Sequence, residues 1–180
     1  MSLTIRPRTA GDVPRLVEVL RVQQPASRYP FRWPLPFPPE EFVVRPGEEA
    51  AFAAVLDGGT GGGTGGEVVG QVAVAEVPED DFADAWTHAT GLDRSGLAMV
   101  SSFFVLPDLR GRGVGRALLD AAVGWIREHG RLPVLDVVPA HQAAVRLYER
   151  SGWRTIGQGR PPWLPDDEPA VLLMVLDDPA

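Results

Sequence analysis

The segment from Phe103 to Leu119 carries the residue types that hold an anion. An apolar run, Phe103-Phe104-Val105-Leu106, leads into Pro107-Asp108-Leu109-Arg110-Gly111-Arg112-Gly113-Val114-Gly115-Arg116. Apolar residues then recur at Leu118, Leu119, Ala122, Val123 and Ile126, the spacing of one helix face. A glycine-rich turn therefore opens a helix. The first turn of a helix has backbone N–H groups without intrahelical acceptors and carries a partial positive charge. Glycines at 111, 113 and 115 let an anion approach those amides, and Arg110, Arg112 and Arg116 add charge. The chemistry expected there is binding of a phosphate or pyrophosphate. Two common phosphate motifs do not fit. A dinucleotide fingerprint needs a third glycine at 116 or 118, where Arg116 and Leu118 stand. A P-loop needs a lysine, and the chain has none. On this segment alone, a plain glycine turn with solvated arginines stays open.

A second segment, His141-Gln142-Ala143-Ala144-Val145-Arg146-Leu147-Tyr148-Glu149-Arg150-Ser151-Gly152-Trp153, reads as a helix ended by glycine. His141, Ala144 and Tyr148 fall on one face. Taken alone, the segment reads as an amphipathic helix with a core tyrosine.

The elements that must hold these segments follow from periodicity and breakers. Leu3–Arg6 is a short strand. Thr9 and Asp12 are spaced as a capping box ahead of a helix marked by Val13, Leu16, Val17 and Leu20. Gln24–Pro39 is rich in proline and aromatics and reads as an ordered loop, followed by a helical turn at Glu40–Val44. Ala50–Leu56 and Glu67–Val77 are strands, joined by a glycine- and threonine-rich hairpin loop at Gly58–Gly66. Asp80–Ala89 is a short acidic helix. Leu97–Leu106 is a strand apolar on both faces, hence central and covered on both sides. Gly113–Glu128 is the clearest helix, stopped at Gly130. Val134–Val138, Trp153–Gly157 and Ala170–Leu176 are the remaining strands, and His141–Arg150 the remaining helix. The expected fold class is α/β, a mixed sheet of about seven strands covered by helices.

Composition narrows the chemistry. At 180 residues one domain spanning 1–180 is expected, large enough for its own core. The absence of cysteine excludes disulfides, thiolate metal sites and a thiol nucleophile. His88, His129 and His141 are too scattered for a histidine metal site, so no metal is expected. All 17 basic residues are arginine, which excludes a lysine Schiff base. A net charge of −7 argues against nucleic-acid binding and suits a cationic substrate. No window is long and apolar enough for a membrane span, and the first residues lack the pattern of a secretory leader. The expectation is a cytoplasmic protein that engages no membrane.

The two chemical segments together resemble the GNAT superfamily of acetyl-CoA-dependent N-acetyltransferases. Arg110-Gly111-Arg112-Gly113-Val114-Gly115 matches that family's pyrophosphate loop, Arg/Gln-x-x-Gly-x-Gly/Ala. Ala144–Trp153 is similar to its later motif, Ala-x-x-Leu-Tyr-x-x-x-Gly-Phe, with Trp153 in place of phenylalanine. Ile5–Asp12 resembles its first strand and helix start. The resemblance is specific for these two motifs and loose over residues 24–95. It implies a GNAT-like, mostly antiparallel sheet with splayed central strands four and five and helices on both faces. Acetyl-CoA would bind as co-substrate between those strands. Its pantetheine arm would pair with the backbone near Phe103 and Val105. Its pyrophosphate would sit on the amides of Gly111 to Arg116, with His141 and Ala144 as further contacts. Tyr148 would protonate the departing thiolate while a neutral amine attacks the thioester directly. The amide near Val105 would polarise the thioester carbonyl.

Two departures from the family pattern stand out. His141 occupies a position where the family often has asparagine, so it either contacts CoA or caps the helix. Met99 stands where many members carry a glutamate base. Glu76 and a water wire serving Ser101 or Ser102 are substitutes, and each also reads as an ordinary strand or surface residue. Arg32, Trp33 and Trp163 fall where the acceptor groove would be flanked, or the tryptophans simply cover core. The leading expectation is an N-acetyltransferase acting on the primary amine of a small molecule or peptide. A non-catalytic acyl-CoA-binding sensor and a protein acetyltransferase are the alternatives. The resemblance is also compatible with a homodimer.

Overall fold

A computed structural model describes residues 2–57 and 66–177. The hairpin loop expected at Gly58–Gly66 lies, apart from Gly66, outside the described residues. In chain order the main elements are β1 (Leu3–Pro7), α1 (Val13–Ser27), α2 (Pro39–Val43), β2 (Glu48–Leu56), β3 (Glu67–Ala75), α3 (Asp81–Thr90), β4 (Leu97–Val105), α4 (Val114–Glu128), β5 (Leu132–Val137), α5 (Gln142–Arg150), β6 (Arg154–Gly159) and β7 (Val171–Val175). The strands form one seven-stranded sheet in the order β1-β2-β3-β4-β5-β7-β6. The β4–β5 ladder is parallel; β1–β2, β2–β3, β5–β7 and β6–β7 are antiparallel. The mixed α/β sheet expected from the sequence is therefore present. The chain divides into two compact units, and both β4 and α4 contribute to each of them.

The first unit comprises residues 1–75 and 101–124. β1 pairs with β2 from Leu3↔Leu56 to Pro7↔Phe52, and β2 pairs with β3 through two register shifts. α1 packs on β3 and on α2. Its face of Leu16, Val17, Val19 and Leu20 meets Phe42, Val43, Val55, Val68 and Phe104 in one apolar cluster. Tyr29, Trp33 and Leu35 pack against that cluster, so the prolines of the 24–39 segment present aromatic anchors to the core. The capping box expected at Thr9 and Asp12 forms: the Thr9 amide donates to Asp12 Oδ2 at 2.7 Å. It caps a short 3₁₀ turn, Ala10–Asp12, that leads into α1. Asp12 also receives both terminal nitrogens of Arg6, each at 2.7 Å.

α1 runs on to Ser27, into the Gln24–Pro39 stretch expected as loop, and contains Pro25. A proline in the last turn forfeits a single backbone bond, and the helix closes three residues later at Arg28, in the left-handed region with φ 58°. The Arg28 amide still donates to Gln24 O at 2.6 Å. In addition β2 starts two residues earlier than the apolar run: Glu48 pairs with Ala75 of β3, and Glu49 falls at the register shift before Ala50.

The second unit comprises residues 76–100 and 125–180. The parallel ladder pairs Leu97, Ala98 and Met99 of β4 with Leu132, Pro133 and Val134 of β5. β5 therefore begins at Leu132, ahead of the expected Val134, with Pro133 in its first turn of the ladder. β7 pairs with β5 on one side and β6 on the other, and α3 packs on β6 and β7. The Asp80 side chain caps α3 by accepting from the amides of Phe82 and Ala83, each at 3.0 Å. Trp86, Leu97, Ile126, Leu135, Leu173 and Met174 are fully buried.

Candidate active site

In the first unit, β4 delivers its last residues to the turn that opens α4. Leu106 donates its amide to Val69 O at 2.9 Å, so at this end the even-numbered residues of β4 face β3. In an antiparallel ladder successive residues alternate sides, which directs the amide and carbonyl of Phe103 and Val105 away from β3. The two strands meet closely: a Cβ on Gly70 would lie 2.6 Å from Phe104 O. Glycine is what permits this approach.

Ser102 interrupts the regular strand. It is 1% exposed, and its φ of 45° lies in the left-handed region, which costs a non-glycine residue about 1 kcal/mol or more. Its hydroxyl donates to Phe42 O at 2.8 Å. The hydroxyl is thus spent inside the unit, and a water wire at Ser102 has no support there. Ser101 is half-buried.

The turn itself is built by a 3₁₀ segment, Pro107–Leu109, followed by two glycines in the left-handed region, Gly111 (φ 75°) and Gly113 (φ 82°). Nothing lies within 4 Å of the place a Cβ would take at either one, so the turn is open on that side. The amides of Arg110 and Arg112 are consumed by Pro107 O and Leu109 O, at 3.1 and 3.2 Å. The Ala117 amide donates to Gly113 O at 3.0 Å and begins the helical ladder. Val114, Gly115 and Arg116, the first residues of α4, therefore have no intrahelical acceptor for their N–H groups. Those three amides directly follow the two-glycine turn, at the positive end of a helix 15 residues long. Arg110 and Arg112 are exposed beside it. The Arg116 guanidinium instead lies along the helix, with Nε at 2.8 and 2.9 Å from the two oxygens of Asp120. Arg116 is thus placed to offer its backbone amide, with its side-chain charge already matched.

In the second unit, His141 occupies the N-cap position of α5. Its carbonyl accepts from the amides of Ala144 and Val145, at 2.9 and 3.1 Å, but its side chain makes no capping bond. Of the two expected uses of the imidazole, helix capping is the one this geometry sets aside. Tyr148 is 6% exposed, and its ring lies against Trp153, tilted by 55° with centroids 5.7 Å apart. Ala144 is half-buried on the same helix. Gly152, with φ 89°, ends the segment as the sequence pattern requires. Met99 is half-buried and paired in the parallel ladder, while Glu76 is exposed just beyond β3. Trp163 is 41% exposed, unlike Trp33.

One group of side chains escaped the sequence reading: Arg8, Glu48 and Gln71, a network that reaches the Ser102 kink through Gln71. The available signal was Gln71, the one polar residue between Val68 and Ala75 in an otherwise apolar strand. Among the described residues no cluster of three or more His, Cys, Asp or Glu could hold a metal ion, and no helix is long and apolar enough to cross a membrane.

A strand, a glycine turn and a helix, set in a mixed sheet whose β4–β5 ladder is parallel, define a class, and comparison with known proteins gives it a family. The model of the acetyltransferase (GNAT) family matches residues 16–153, and the chain belongs to that family. A mycothiol acetyltransferase of Propionibacterium freudenreichii is 39% identical over 72 residues, which span 39% of this chain and 23% of that protein. The match thus covers about a quarter of the relative's length. Two solved structures share the fold over nearly the whole of both chains. NAA60 of Arabidopsis thaliana, solved in complex with acetyl-CoA, has a TM-score of 0.70 at 22% identity, covering 97% of each chain. The ribosomal-protein-S18-alanine N-acetyltransferase of Escherichia coli has a TM-score of 0.65 at 17% identity, covering 99% of this chain and 97% of that one.

Proposed function

We propose that this protein transfers the acetyl group of acetyl-CoA to the primary amine of a small molecule or peptide. The observation that carries the reading is the turn before α4. Two left-handed glycines lead into a helix whose first amides, those of residues 114–116, have no intrahelical acceptor, a cradle for a pyrophosphate. Family membership makes acyl-CoA the natural bearer of that pyrophosphate. Phe103 and Val105, facing away from β3, offer the backbone groups along which a pantetheine arm pairs.

Transfer then proceeds by direct attack. The neutral amine nitrogen forms a bond to the thioester carbonyl carbon, the carbon–sulfur bond breaks, and the amine loses a proton to water. Tyr148 donates its phenolic proton to the departing sulfur. The amide at Val105 stabilises the charge that develops on the carbonyl oxygen. Met99 supplies no base, so the reading favours an acceptor amine that is already neutral near physiological pH. The same residue motivates the rival reading, an acyl-CoA sensor without catalysis. One relative is named a mycothiol acetyltransferase and one fold neighbour a ribosomal-protein-S18-alanine N-acetyltransferase, so small-molecule amines and peptides both belong in the test.

The test is thermal stabilisation by acetyl-CoA, followed on the same sample by release of free thiol with a panel of amines and peptides. A raised melting temperature and acceptor-dependent release establish the transferase. A raised temperature with no release from any acceptor selects the sensor, and no stabilisation removes the acyl-CoA reading altogether.

A further inference from the structure

Gln71 is fully buried, and every polar group of its side chain is engaged. Its Nε2 donates to Val43 O at 3.0 Å and to Ser102 O at 3.2 Å. Its Oε1 accepts from Arg8 Nη1 at 3.2 Å. An arginine can only donate and a carbonyl can only accept, so the amide fits one way round. Arg8 also donates to Val43 O at 2.7 Å and pairs with Glu48; the two side chains are 8% and 14% exposed. The network therefore converges on two features. One is the pair of carbonyls at the end of α2, Phe42 O and Val43 O. The other is the left-handed backbone of Ser102, held through its own carbonyl by Gln71 and through its hydroxyl by Phe42.

Stability alone does not call for this arrangement, because apolar side chains commonly replace a buried ion pair without loss. What a satisfied polar network supplies is a single geometry. Ser102 immediately precedes the residues whose outward amides the acyl-transfer reading uses. A change in its φ would swing those amides off their target, and α2 follows the proline-rich segment expected to flank the acceptor.

We propose that Gln71, with Arg8 and Ser102, is a positioning residue for acyl transfer: its amide fastens the kink at Ser102 to the end of α2 and so aims the outward backbone groups of residues 103–105 at the acyl-pantetheine arm. The inference rests on the acyl-transfer reading above.

Hydrogen–deuterium exchange with acetyl-CoA as the probe separates the two. In the wild-type protein acetyl-CoA slows exchange over residues 103–106 and over residues 111–117. In Gln71→Leu the second protection persists and the first is lost, with the Kd for acetyl-CoA raised about tenfold. Gln71→Glu keeps the acceptor for Arg8 but loses both donors, and it behaves as Gln71→Leu does. If either variant fails to fold, Ser102→Gly serves instead. It tolerates the positive φ but cannot hold Phe42 O, and it gives the same split in milder form. Full protection of both segments in the folded variants overturns the inference and leaves the acyl-CoA reading standing. Absence of protection in the wild type overturns the acyl-CoA reading, and the inference with it.

Discussion

Tyr148 and Asp12 show two ways in which one side chain can matter. Tyr148 is buried against Trp153, and its proposed task is a single proton delivered late in the reaction. Tyr148→Phe keeps the ring and removes the proton. It should lower kcat about 100-fold while the Kd for acetyl-CoA, measured by calorimetry, stays within about twofold. Asp12 acts on stability instead. Hydrogen bonding to Arg6, reinforced by the amide and hydroxyl of Thr9, holds its carboxyl well below the ordinary carboxylate range against the opposing effect of burial. A carboxylate whose pKa falls on folding stabilises the protein above its unfolded value, near 4, and that stabilisation is lost as pH drops further. Chemical denaturation of the wild type and Asp12→Asn should therefore differ clearly at about pH 6. The difference should shrink as the pH falls below about 4; a gap that widened in acid would contradict this account.

Elements differ in how far the sequence exposes them. The turn before α4 is written in glycines whose positive φ values no other residue adopts as easily, so type and spacing sufficed to place it. Gly113→Glu tests that element. A carboxylate beside the unspent amides should abolish thermal stabilisation by acetyl-CoA while the unliganded protein loses only about 1–2 kcal/mol. The register of β3 against β4 depends on Gly70, where a Cβ would strike Phe104 O. Gly70→Ala should destabilise the protein by about 1–3 kcal/mol in urea, with no change expected if the strands merely lay near each other. Other elements were only partly legible. The apolar run of β2 hid its start at Glu48, because the ladder depends on backbone bonds that any side chain permits. The proline-rich stretch read as loop from Gln24 onward put the end of α1 too early, because Pro25, in the final turn, forfeits so little. The kink at Ser102 left no local trace: serine does not favour a positive φ, and its partners Phe42 and Gln71 lie 60 and 31 residues away.

At the scale of the whole molecule, a ligand that binds only the native state raises stability by mass action. Acetyl-CoA at a hundredfold excess over its Kd should add about 2.7 kcal/mol. For a chain of this size that is a rise of about 5–10 °C in melting temperature. Scanning calorimetry over a concentration series should show the rise growing with the logarithm of acetyl-CoA concentration.

Ser102 carries one more consequence, for reagents that acylate proteins. It stands in β4, the strand expected to lie beside the thioester, yet its hydroxyl is buried and turned toward Phe42 O. The sequence contains neither lysine nor cysteine. A thioester held on this surface thus meets no lysine amine and no cysteine thiol, and the hydroxyl of Ser102 is already given to Phe42 O. Incubated with acetyl-CoA and no acceptor, the polypeptide should keep its own intact mass, so the donor's electrophile is preserved for the partner molecule.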